Sequence, residues 1–418
     1  MAAQVQLPPE ILESVVDQLH DDPPSLMQCS LVCRRFANRG QKHLFRRVVL
    51  DRPSRIFKGN MISQFYPAES FLYLINHYPH ICKLVLELKI SDEHKISYYR
   101  EQNSWIRTDR AIAKILPMLC ALEELIIDGN HLGTRLNFKC WKEELKSTIL
   151  LKSQSLRRLS LSLVRNVPLL LLNDMPNLEC LRLNSVYFTP DDLPAMHFPN
   201  KARLRTFDIA SYVGDDWPSL YPWLQSTKCN IDMTHLVAVS LMINPADMAP
   251  SDQLHSISSL LRGCANNLKH LHLCYSDPIA TPSFYDDKFM DLGSMPLLES
   301  LDISGCVWSH WDHHGQSRDR LRWLTNNLAK IDPNITLKRI DLEIEVFQGN
   351  PQSGFEDAGW DDFAQVIDNL AQTVSAVFVK FVIYSDFGRY TQDFLQQRML
   401  PLCIRGIVLI EDGIAIEQ

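Results

Sequence analysis

The 418-residue sequence has no apolar run near the roughly 18–20 residues that a bilayer-crossing helix needs, so no helical membrane span is expected. Its opening, MAAQVQLPPEILE, lacks a basic region followed by a long apolar core, and no secretory signal is expected. There is no CxxC pair. The 11 cysteines are an odd, scattered set, and Cys29 and Cys33 stand four apart without a histidine or second pair to complete a zinc frame. Most of the others lie in apolar runs, where a free thiol acts as a small hydrophobe. A reducing compartment, cytoplasmic or nuclear, is the expected setting. Catalytic signatures are missing as well: no GxSxG elbow, P-loop, HExxH or kinase set. The chain therefore reads as non-catalytic, with no cofactor and no metal site. Basic charge is also in short supply, 42 lysines and arginines against 49 acidic residues for a net −7, which disfavours binding to phosphate backbones.

What is present is an ordinary globular mix, 46% apolar, 22% charged and 9% aromatic, which excludes wholesale disorder. The charge is uneven. From Ile340 to Gln418 there are 13 acidic and 4 basic side chains, or −9, so the rest of the chain carries about +2 (−7 minus −9). The acidic end suits a basic partner, although acidic surfaces also serve as solubilising features.

Residues 8–19, PPEILESVVDQL, predict a helix. Prolines suit its first turn, and Ile11, Leu12, Val15, Val16 and Leu19 recur at helical spacing. Asp21-Asp22-Pro23-Pro24 stops it, and Ser25 is the expected cap of the next helix. Leu26, Cys29, Val32, Cys33 and Phe36 form a second stripe, broken by Gly40. Leu44, Phe45, Val48 and Leu50 follow. About three short helices in so few residues cannot bury all of these side chains among themselves, so some apolar surface must dock on the remaining chain or on a partner.

LPPEILESVVDQL, followed by SLVCRRF and HLFRRVVL, resembles an F-box over roughly residues 5–50. Leu7-Pro8, Glu10 and Val32-Cys33-Arg34-Arg35-Phe36 carry the likeness, with Phe36 where many F-boxes have tryptophan. The resemblance implies docking on a Skp-type adaptor and, through it, a cullin–RING ubiquitin ligase. Leu7, Pro8, Ile11, Leu12, Leu31, Val32 and Phe36 are the adaptor contacts it implies; some of them serve equally well as the module's own core. Arg34, Arg35, Arg39, Lys42, Arg46 and Arg47 read as a solvated face rather than a phosphate site.

Behind this module a pattern Leu-x-x-Leu-x-Leu recurs at intervals of 22 to 41 residues. It runs ICKLVL from Ile81, LEELII from Leu122, LRRLSL from Leu156, LECLRL from Leu178, LRTFDI from Leu204, LVAVSL from Leu236, LKHLHL from Leu268, LESLDI from Leu298 and LKRIDL from Leu337. VSAVFV from Val374 and IRGIVL from Ile404 are weaker copies. Alternation makes each a short strand, helix-like runs precede many of them, and stacked units close a core that one unit cannot. The pattern resembles leucine-rich repeats. The expected fold class is α/β: a leucine-rich-repeat-like solenoid with a parallel inner sheet, preceded by a small all-α F-box module. Residues 1–50 form that module, 51–80 a connecting segment packed on the solenoid, and 81–418 the irregular repeats.

In such strands the residue between the two last apolar positions faces away from the core. These positions are Val85, Ile126, Ser160, Arg182, Asp208, Ser240, His272, Asp302, Asp341, Phe378 and Val408. Aromatic and acidic segments, with Trp217, Trp308, Trp311 and Trp360, suit a basic segment of a protein by stacking and ion pairing. Asp208, His272, Asp302, Asp341, Trp217, Trp311 and Trp360 are the candidate target contacts. Packing of the tryptophans on the solenoid edge is the alternative. A His272 acid/base site is the weaker reading, and His310, His313 and His314 read as loop rather than zinc ligands. The sequence thus points to the substrate receptor of a Skp–cullin–F-box ligase; the alternative is a non-ligase repeat scaffold whose first helices cap the solenoid.

Overall fold

A computed structural model describes residues 8–58, 61–92, 104–129, 135–189, 201–210, 217–243, 250–275, 290–309, 316–332, 336–348, 359–385 and 388–412. The chain forms two compact units: Met1–Leu178 with Val186–Asp191, and Glu179–Ser185 with Asp192–Gln418.

The first unit opens with three helices, α1 (Pro9–Asp17), α2 (Pro23–Ser30) and α3 (Arg34–Leu44). Two local expectations need correction. Asp22, not Ser25, caps α2: its carboxylate accepts the Ser25 amide at 3.1 Å and the Ser25 hydroxyl at 2.6 Å. Pro23 and Pro24 therefore start a helix rather than only ending one, because neither needs a backbone donor there. The second apolar stripe is also two helices, since Cys33 is extended (φ −159°) and breaks it. Gly40 lies inside α3 and is buried; a Cβ there would collide with the Ser30 hydroxyl and crowd the Leu26 carbonyl at 3.3 Å, so glycine lets α2 approach α3.

The module is not all helical up to residue 50. Arg47–Leu50 is a strand, β1, paired in parallel with β2 (Glu87–Ser91), which continues to β3 (Glu124–Asp128) and β4 (Arg158–Ser162). Residues 51–80 are likewise more than a connection: Ser54–Lys58 and Met61–Phe65 form an antiparallel hairpin, and α4 (Pro67–His77) buries Ala68, Phe71 and Ile75. α5 (Ala111–Met118) packs on α4 and on α6 (Glu143–Ser153). These helices are the crossovers that parallel strands require.

Among the described residues, the main sheet of the second unit has eight parallel strands in chain order: β5 (Cys180–Asn184), β6 (Thr206–Ala210), β7 (Ala238–Ile243), β8 (His270–Tyr275), β9 (Ser300–Ser309), β10 (Arg339–Gln348), β11 (Ala376–Ser385) and β12 (Val408–Asp412). Helices α7 (Trp217–Gln225), α8 (Pro250–Cys264), α9 (Gln316–Ala329), α10 (Trp360–Thr373) and α11 (Gly388–Arg398) alternate with them.

One bond recurs in both units. A carbonyl one ladder step back accepts two successive amides at the start of the next strand: Arg46 O takes Leu86 and Glu87 N at 2.9 and 3.0 Å, and Lys269 O takes Glu299 and Ser300 N at 2.7 and 2.9 Å. The leading leucines Leu122, Leu156, Leu178, Leu204, Leu236, Leu268 and Leu298 are all buried, as are the second and third apolar residues of their motifs.

The first and last motifs are displaced. Val85 is fully buried and precedes β2, whose ladder residue opposite Ile126 is Lys89. The pattern there runs VLELKI from Val85, four residues after Ile81, so Val85 takes the leading core position. Val408 pairs with buried Val379, whereas Leu409 pairs with Lys380. A slip of one residue turns a strand's whole side-chain set to the opposite face.

Leu271 is 1% exposed in β8 and Leu297, in the same unit, is 40% exposed. Leu271→Ala is expected to cost about 3 kcal/mol and Leu297→Ala less than about 0.5 kcal/mol. Denaturant unfolding of both variants measures the difference.

Candidate functional site

α1 and α2 both pack on α3, with Val16 and Leu26 buried beneath them. Large apolar side chains on these helices and just after α2 are uncovered: Ile11 is 49% exposed, Val15 54%, Met27 54%, Leu31 82% and Val32 69%. Of the seven expected contacts, Pro8, Ile11, Leu31 and Val32 are exposed, Leu12 and Phe36 are half-buried, and Leu7 lies outside the described residues. Val15 and Met27 join the face without having been expected there. Both carry a signal: Val15 is one helical turn after Ile11, and Met27 one turn before Leu31.

An ionic network joins α1 to α3. Asp17 ends α1, where the helix dipole disfavours a carboxylate. Arg39 of α3 donates to it twice, Nε to Oδ1 at 2.5 Å and Nη2 to Oδ2 at 2.6 Å, and His43 Nε2 lies 2.7 Å from Oδ1. Hydrogen bonds from Arg39 and His43 hold the Asp17 carboxyl well below the usual carboxylate range, against the cost of burial.

The F-box-like family matches residues 5–51. These residues are an F-box-like domain, and the uncovered apolar side chains lie within it. Comparison with characterised proteins returned no match for the chain.

In the second unit the polar positions form one continuous ladder row: Arg182, Asp208, Ser240, His272, Asp302, Asp341 and Phe378 are successive partners across β5 to β11. His272 Nδ1 is 3.1 Å from Ser240 Oγ, and its Nε2 is 3.5 Å from Ser304 Oγ and 3.9 Å from Asp302 Oδ2. Arg339 pairs with Asp341 through both guanidinium branches. Burial, and then the neighbouring Asp341 and Glu343 carboxylates, push the Asp302 carboxyl up; His272 and Arg339 offset part of this. Glu345 is also raised, by burial and by Glu343. By contrast Glu299, between Lys269 Nζ at 2.7 Å and Lys338 Nζ at 2.6 Å, is held down to about 2 by those hydrogen bonds.

This sheet face is thus acidic with exposed apolar residues set into it, Phe378 at 40% and Leu409 at 41%. Leu409 and Glu343 are not among the expected contacts; the one-residue slip at β12 hides the first. Trp360 is a correction: it is 1% exposed, its ring 5.9 Å from Phe381, because the α10 stripe of Trp360, Phe363, Ile367 and Leu370 faces the sheet. It is a core residue rather than a target contact. The side chains of Trp217 and Trp308, and residues Trp311, His310, His313 and His314, lie outside what is described.

Asp17→Asn is expected to destabilise the full chain by about 1 kcal/mol at pH 7, a modest figure because the pair is one-third exposed. The folded proton affinity of Asp17 is lowered, so its contribution is complete above about pH 4 and fades in stronger acid. Melting curves of variant and parent should converge as pH falls below that value. Asp302 is shifted the other way, and ionising it costs stability. Asp302→Asn should raise the melting temperature at pH 7, and calorimetry should find the gain shrinking as the parent takes up its proton in mild acid.

Proposed function

We propose that the chain is a substrate-receptor subunit of a Skp–cullin–F-box ubiquitin ligase. The F-box-like domain docks a Skp-type adaptor, as F-box domains generally do. The single observation that carries the reading is the uncovered apolar face of Ile11, Val15, Met27, Leu31 and Val32. Five large apolar side chains in so small a module weaken its case as an isolated fold and suit a partner's groove.

The residues beyond the F-box-like domain serve in this reading as a leucine-rich-repeat-like receptor. The recurring two-amide bond at strand starts and the periodic buried leucines support repetition of one unit. The row from Asp208 through His272, Asp302 and Asp341 is the target-facing surface, and its acidity favours a basic target. The receptor performs no chemistry. It raises the target's effective concentration beside the ubiquitin-charged enzyme. The capping alternative is less well supported, because a cap buries its apolar side chains and Leu31 is 82% exposed.

Co-expression of the full chain with a Skp-type adaptor tests the reading. Ile11→Asp and Leu31→Asp should each reduce co-purified adaptor at least about tenfold, equal to roughly 1.4 kcal/mol, without lowering the melting temperature. Undiminished adaptor on both variants would contradict it.

A further inference from the structure

The first turn of α3 violates a helix rule. Arg34 and Arg35 occupy the positive end of the helix dipole, no acidic residue lies in that turn, and Cys33 supplies no side-chain cap. Arg34 has no carboxylate partner among the described residues, and Arg35 reaches only Glu13, at 3.9 Å between two exposed side chains. The contrast with Arg39 is direct: that arginine, on the same helix, is neutralised by Asp17. The exposed leucine and valine of the apolar face, Leu31 and Val32, immediately precede this turn.

We infer that the amino-terminal turn of α3 is the electrostatic half of the adaptor-docking surface, and that the adaptor presents carboxylates beside the groove that receives Leu31 and Val32. The inference rests on the adaptor reading and adds the chemistry of the partner. Like charge at a helix amino terminus is unfavourable in the free chain. A carboxylate placed there meets Arg34, Arg35 and the uncapped amides together, so the unfavourable contact in the free chain becomes a favourable one on binding. Charges of this kind act mainly on the rate of encounter, and apolar anchors on the rate of departure.

The test measures association and dissociation rates of the full chain with a purified Skp-type adaptor, at low and at high salt. Arg34→Glu combined with Arg35→Gln should slow association about tenfold or more at low salt, flatten its salt dependence and leave dissociation within about twofold. Misfolding is separable, because Arg34→Glu places an acid where the helix dipole favours one and should hold or raise the melting temperature. Leu31→Ala should act instead on dissociation. If the double variant keeps the parental association rate and salt slope while Leu31→Ala weakens binding, the acidic border does not exist and the adaptor reading stands. If the parent itself fails to bind the adaptor, both fall. Vesicles containing phosphatidylserine form a last arm. Binding that the double variant loses there, with adaptor association unchanged, would assign the basic turn to a membrane and overturn the inference.

Discussion

A module of three short helices has too little interior for the apolar residues that its sequence carries. Val16 and Leu26 are buried in its core, and the Asp17–Arg39–His43 network ties α1 to α3. Gly40 lets α2 come close to α3. Ile11, Val15, Met27, Leu31 and Val32 are then left on the outside as a geometric consequence. Burying such a side chain is worth roughly 1.5–3 kcal/mol, so leaving five exposed is a standing cost to the free module.

The strands behind the module follow a different economy. A strand flanked by a crossover has one face for the core and one left over. Because the ladder row from Arg182 to Phe378 is continuous, passing β9 ahead of its register shift between Ile303 and Cys306, these residues are set side by side even though they lie some thirty residues apart in sequence. Burial raises the proton affinities of Asp302 and Glu345, and the neighbouring carboxylates add to it. Where lysines intervene, as around Glu299, the charge is settled internally.

Much of this arrangement is legible in the order of the amino acids. Strict alternation sets which residues of Leu122, Leu156 and later motifs turn inward, and the ladder row from Arg182 to Phe378 follows from that alone. Expectation and structure part where local chemistry replaces periodicity. At Ile81 a 3-10 turn over Pro79–Lys83 consumes the apolar residues that imitate a motif. At Ile404 a glycine with φ +70° at Gly406 shifts the following strand by one place. Trp360 resembles a surface aromatic because it follows an acidic stretch, yet its spacing to Phe363 and Ile367 is that of a buried helix stripe. Gly40 deceives for a related reason: a glycine marks a close approach between helices as readily as a helix end, and only the neighbour's position distinguishes the two.

The central claim is that the outer face of α1 and α2 is covered by an adaptor. Hydrogen–deuterium exchange of the full chain, with and without a purified Skp-type adaptor, addresses that surface residue by residue. The account predicts added protection in peptides spanning residues 9–17 and 23–36, and little change in those spanning β6 to β11. Unchanged exchange over α1 and α2 in a chain that holds the adaptor would place the contact elsewhere and contradict the account.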